Sequence, residues 1–274
     1  MKRHIFYGLA FVLSTHLFCS CDGLLPQPST LSQEDIVTGL KTALKIGVDT
    51  ATNRLSANGG YYNNLATRIP LPDEANTILK NVEEITSNPI IASLVPNLKS
   101  DIQAKVTSLV QSINSSASEA AKDAAPIFSD AITNLTIADG LSILQGQTVL
   151  KSGEFDSLAA TNYLKSQTFV NLTDLYAPKM NIALGKPLVG NISASDLWNS
   201  ITSTYNNAAK KVNVASSLTG KTFELVDTDL GEFVTTKALT GLFNKVGEQE
   251  KQIRRNPFQY VSDIVQKVFG YVFK

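Results

Sequence analysis

Glu250 and Arg254 stand four residues apart, and Glu250 shares helical spacing with the apolar residues Val246 and Ile253. On a helix these positions fall on one face. A carboxylate there has two readings. One is a partly buried acid in a pocket, its pKa tuned by burial and by the arginine. The other, simpler one is an ion pair within the helix, worth about 0.2–0.5 kcal/mol, or a structural pair with another helix. Arg68 precedes Ile69-Pro70-Leu71-Pro72. Its guanidinium suits a forked contact with a carboxylate or phosphate, or a tie to a helix C-terminus or to an acid such as Asp139. Glu232 and Asp229 are the other acids beside strong patterns. Two carboxyls about 5–9.5 Å apart across a cleft can hydrolyse a glycosidic bond, so these four acids are the candidates for such chemistry.

Carboxylates carry this weight because the N-terminus removes the alternatives. Lys2 and Arg3 precede a mainly apolar run from Ile5 to Leu17, too short to span a bilayer but suited to a signal peptide. Phe18-Cys19-Ser20-Cys21 follows and resembles a lipobox, so Cys21 is the expected lipidation site. The expected layout is a leader over 1–20, a tether over 21–30 and a folded domain over 31–274. Cleavage before Cys21 discards His4, His16 and Cys19, leaving no histidine and no free thiol. That excludes a Ser-His-Asp triad, a cysteine nucleophile, the usual zinc sites and intrachain disulfides. No phosphate-binding Gly-rich loop, nucleophile elbow or HExxH is present, so no cofactor and no metal are expected. Lysine plus arginine balances aspartate plus glutamate at 24 each, which gives a nucleic-acid partner no support.

The elements that must position these residues are helices. Ser32-x-x-Asp35 resembles a cap, and the stripe Ile36, Leu40, Ala43, Leu44, Val48, Ala51, Leu55 predicts a helix stopped by Asn58-Gly59-Gly60. A second begins after Pro72 and breaks at Asn88-Pro89, and a third begins near Pro96. Thr136-x-x-Asp139 predicts a short capped helix. Leu158–Leu164 and Phe169–Tyr176 predict two short helices, the second closed by Pro178. Ala194 to Ala208 carries another stripe, and 210–227 is polar without a period. Leu230 opens a long helix ended by Asn256-Pro257, and Phe258 to Phe273 predicts a final amphipathic one. Strand alternation of useful length is missing, so the expected class is all-α, one multi-helix domain.

A set of ordered motifs goes further. Arg68-Ile69-Pro70-Leu71-Pro72 is followed by Ala160-Thr161-x-Tyr163-Leu164 and by the segment from Glu232-Phe233-Val234-Thr235-Thr236 to Gly241-Leu242-Phe243. Then come Glu250-x-x-Ile253-Arg254-x-Asn256-Pro257 and Lys267-Val268-Phe269-Gly270. In this order they resemble the bacterial family known as domain of unknown function 4197, over roughly Leu31 to Gly270. The resemblance implies an exported, largely helical envelope protein, with no activity and no catalytic residues to transfer. The chain departs from the pattern in a polar, insertion-like region near Ser87 to Ser118 and in the tail from Tyr271 to Lys274.

Three functions remain open. The first is a non-enzymatic envelope lipoprotein that binds or scaffolds, held to the membrane by its lipid anchor and meeting an envelope protein. The second is a carrier of an apolar ligand, since Ala- and Gly-rich helices leave room for a cavity. The third is the carboxylate-based glycan hydrolase. Asp22 would favour the inner membrane under the sorting rule of enteric bacteria. That rule is not general, and the expected location is the outer membrane, facing the periplasm.

Overall fold

The computed structural model describes residues 31–147, 154–227 and 229–272. Cys21 and its neighbours, and Phe273, lie outside them. The described residues fold as all-α, with no strand among them. The chain from Leu31 onward forms one compact unit.

Helix α1 spans Gln33–Leu55 and begins where its cap says it should. The Ser32 hydroxyl accepts from Asp35 N at 3.0 Å, and Asp35 Oδ2 accepts from Ser32 N at 3.3 Å. Its apolar stripe is buried from Ile36 to Leu55. Helix α2 runs Asp73–Ser87. At Asn88-Pro89 the chain breaks and restarts as α3, Pro89–Leu94. Asn88 Oδ1 takes the amides of Ile90 and Ile91, and Pro89 occupies the first helical position, where no amide is needed. Helix α4, Leu98–Ala121, crosses the region that read as an insertion and buries Leu98, Ile102, Leu109, Ile113 and Ala117 in the common core. Helix α5 is Ala124–Asn134, with Pro126 in its first turn, and α6 is Gly140–Leu144.

Helix α7 corrects the sequence reading. It is one helix, Ala159–Leu184, with Pro178 inside it. A proline in a helix interior costs about 3 kcal/mol. Here Pro178 and Asp174, whose carbonyl it deprives of an amide, are both exposed. Leu172, Tyr176, Met180 and Leu184 are buried on either side and hold the helix across the break. Helix α8 spans Ala194–Val214, further than its apolar stripe alone indicated, and α9 is Ser216–Thr219. Helix α10, Leu230–Arg255, is capped by Asp229, whose Oδ1 accepts from Gly231 N at 2.7 Å. After a 3-10 turn at Pro257–Gln259 the last helix, α11, is Asp263–Tyr271. It starts five residues later than Phe258, where the sequence placed it.

Helix α10 is the shared partner, packing on α1, α7, α4 and α11. Against α1 it runs antiparallel: Val246 faces Gly47, while Tyr61, past the end of α1, donates its hydroxyl to Ala238 O at 2.9 Å. Against α7 it is antiparallel too, with Glu250 near Ala160 and Gly231 near Asn181. Phe128 of α5 and Phe169 of α7 meet Phe243 of α10 with ring centroids 5.2 and 5.9 Å apart.

Candidate functional site

The motifs around Glu250 and Ala160-Thr161, some 90 residues apart in sequence, meet in the core. Helix α7 begins after Leu158, whose side chain supplies no cap. Its first amides would be orphaned by burial. Glu250 reaches across from α10 and caps them. Oε1 accepts from Ala160 N at 3.0 Å, and Oε2 from Thr161 N at 2.8 Å and Thr161 Oγ1 at 2.6 Å. Arg254 Nε lies 2.8 Å from Oε1. The same guanidinium donates through Nη1 to Leu144 O at 2.6 Å and through Nη2 to Ile143 O at 2.9 Å, the last carbonyls of α6. Phe155 and Phe269 lie over the guanidinium carbon at 5.9 and 5.4 Å. The carboxylate thus sits at a helix N-terminus and the guanidinium at a helix C-terminus, the placement that the peptide dipoles favour.

Glu250 is 3% exposed and Arg254 5%. Both carboxylate oxygens are occupied by donors. The arrangement joins α6, α7 and α10.

The other candidates are scattered. Asp139 is exposed at the N-cap position of α6, and its side chain caps nothing. Asp229 and Glu232 are exposed at the start of α10. From there to Glu250 is roughly 30 Å at 1.5 Å per residue, far beyond the reach of a two-carboxyl mechanism. Arg68 makes no ion pair among the described residues. Its guanidinium lies over the Tyr62 ring at 4.1 Å, not beside Asp139. No group of three or more potential metal ligands occurs among the described residues.

The sequence hid a different use of polar side chains. Ile69, 1% exposed between exposed Arg68 and Pro70, is a plug held by Asn114 of α4. Asn114 Oδ1 accepts from Ile69 N at 2.8 Å and Nδ2 donates to Ile69 O at 2.8 Å. The amide side chain pairs with the main chain as a strand would. Asn213 of α8 holds Phe223 in the same way, both bonds at 2.8 Å, and Asn206 holds Val226, both at 2.9 Å. Seven residues of helix rise about 10.5 Å, and three residues of extended chain span about 10 Å. The two asparagines therefore match Phe223 and Val226 in register. Tyr205 adds a bond from its hydroxyl to Glu224 O at 2.8 Å.

Small residues bring helices close. A Cβ at Gly39 would lie 2.6 Å from Val268 Cγ2 and 2.7 Å from its Cβ, so α1 and α11 touch there. Gly39→Ala is expected to cost about 1–3 kcal/mol, because a β-branched valine cannot swing away. A urea midpoint that stays put or rises would show that helix propensity, worth about 1 kcal/mol in the opposite direction, decides the site. Open grooves occur among the described residues. One of about 480 Å³ lies among α2, α3 and α4, beside Thr86, Val95 and Lys99. Another, about 310 Å³, is edged by Asn181, Asn199 and Asp229. Tyr61 and Tyr176 are sealed in the core, where desolvation pushes both hydroxyls well above the ordinary tyrosine range.

A family model described as "Protein of unknown function (DUF4197)" matches residues 30–270. No curated protein and no solved structure matches the chain.

Proposed function

The chain belongs to the DUF4197 family, and we propose that it is an envelope lipoprotein, lipidated on Cys21, that acts as a non-enzymatic binding or scaffold module. The observation that carries the second half is the full occupancy of Glu250. The acid embedded in the most specific motif is buried and bonded by Ala160, Thr161 and Arg254. The remaining candidate acids stand apart from it on the surface. Support for the first half is in the leader: a basic start, a short apolar run and Ser20-Cys21. No helix among the described residues is long and apolar enough to cross a membrane. The proposed site is the outer membrane, facing the periplasm.

Cys21→Ala is expected to leave an unprocessed precursor without the acyl mass, and globomycin, which blocks cleavage after the lipid is attached, a precursor that keeps its leader. A Cys21→Ala chain that is processed and membrane-bound as before overturns the lipoprotein reading. Turnover of a glycan library by the purified protein overturns the non-enzymatic one.

A further inference from the structure

We propose that the end of the helical body bearing Phe258, Val261, Tyr271 and Val272 seats directly on the lipid bilayer. This rests on the lipid-anchor reading and adds an orientation to it. Phe258 is 66% exposed, Val261 97%, Tyr271 47% and Val272 38%. Phe258 and Val261 lie in the stretch between α10 and α11, and Tyr271 and Val272 at the end of α11, outside its buried face. The buried face of α11 is Val265, Val268 and Phe269. The site of Gly270 lies against the Phe258 ring, 2.9 Å from ideal Cβ to Cζ, which puts that ring beside Tyr271 and Val272.

The occupant follows from where the chain enters. Val246 of α10 faces Gly47 of α1. The two helices are antiparallel, so Pro257 lies level with Ile36, each about eleven residues further along. The turn after α10 is therefore at the end where α1 begins. Lys267 of α11 pairs with Asp35 in the first turn of α1 at 2.9 Å, which fixes α11 to that same end. The chain before Leu31 leads to Cys21 in ten residues, at most about 35 Å when extended. A lipid on Cys21 holds this end near the bilayer, where apolar and aromatic side chains are favoured at the headgroup boundary. Charge around it is mixed, with Lys251, Arg255 and Lys267 against Glu34 and Asp263. The attraction is therefore assigned to the apolar residues.

The test labels the processed protein at Val261→Cys with an environment-sensitive thiol dye. Acylated Cys21 leaves no competing thiol, and a chain found without acyl mass is labelled with Cys19 and Cys21 replaced by serine, so that the introduced thiol stands alone. Leu65→Cys is the control: Leu65 is 88% exposed, in the loop that follows the other end of α1. Both are reconstituted into phosphatidylcholine vesicles containing spin-labelled lipid. The expected result is quenching several-fold stronger at 261 than at 65, falling toward the control when Phe258→Asp is added. Equal quenching at both sites, or none at either, overturns the proposal. So does a concentration-dependent emission change without vesicles, which would make a second copy the occupant. Intact mass and flotation read the anchor separately. Selective quenching on a chain without acyl mass keeps the seating and sinks the anchor. Flotation without selective quenching does the reverse.

Discussion

Glu250→Ala is expected to destabilise the protein by about 3–5 kcal/mol, the range for breaking a buried ion pair from one side. The cause is threefold. Arg254 keeps its charge at 5% exposure with its partner gone. The amides of Ala160 and Thr161 lose the cap that Glu250 supplies at the head of α7. The Thr161 hydroxyl loses its acceptor. Urea unfolding at unchanged m-value reads the loss as a shift in midpoint. The double variant Glu250→Leu with Arg254→Met separates this arrangement from an isolated pair. Replacing both halves of an isolated buried pair by apolar groups is often neutral. Here the ends of α6 and α7 lose their partners as well, so the double variant is expected to recover only part of the loss. Full recovery would mean that the helix ends find other partners. A single-variant loss under 1 kcal/mol would mean that the pair does not hold the three helices together.

Asn114→Leu is expected to cost about 2–4 kcal/mol, since it strands the buried N–H and C=O of Ile69, each worth about 1–3 kcal/mol unpaired. The side chains are close in size, so a cavity contributes little. A local readout accompanies the global one. Arg68 is exposed but followed by a pinned residue, and trypsin cleavage after it needs the loop to open. Faster cutting after Arg68 in the variant, well before global unfolding, is the expected pattern. Unchanged cleavage and a midpoint shift equivalent to less than 0.5 kcal/mol would show that the two prolines alone fix the loop.

Helices α1, α2, α4, α8 and α10 were legible because each places its apolar residues on one stripe, and Ser32, Asn88 and Asn256-Pro257 mark their ends. Helix α7 was not. It buries Leu172, Tyr176 and Met180 while exposing Val170, Leu175 and Ile182, so it has no single apolar face, and Pro178 read as a stop. Phe258 and Val261 misled in the opposite direction. Apolar residues are often exposed, and here they precede α11 instead of forming its face. The spacing of Glu250 and Arg254 gave the pair. Its partners at Ile143, Leu144, Ala160 and Thr161 lie on other helices about 90–110 residues away, a distance that local spacing does not encode. Asn114, Asn206 and Asn213 were unreadable for a related reason. An asparagine bound to a distant main chain looks, in sequence, like any polar surface residue.

The paired asparagines of α8 also set where this chain tolerates a change of length. Asn206 and Asn213 grip Val226 and Phe223 at two fixed points. One residue inserted between those points would lengthen the span by about 3.3 Å and leave one grip empty, whereas the helix opposite cannot stretch to follow. A deletion there fails for the mirror reason. Insertions near Gly220, before the first grip, meet no such ruler: Gly220 ends α9 with nothing packed where its side chain would be. The segment is thus a measured strap with an adjustable end, and its tolerance for insertions and deletions is set by a helix to which it is not hydrogen-bonded main chain to main chain.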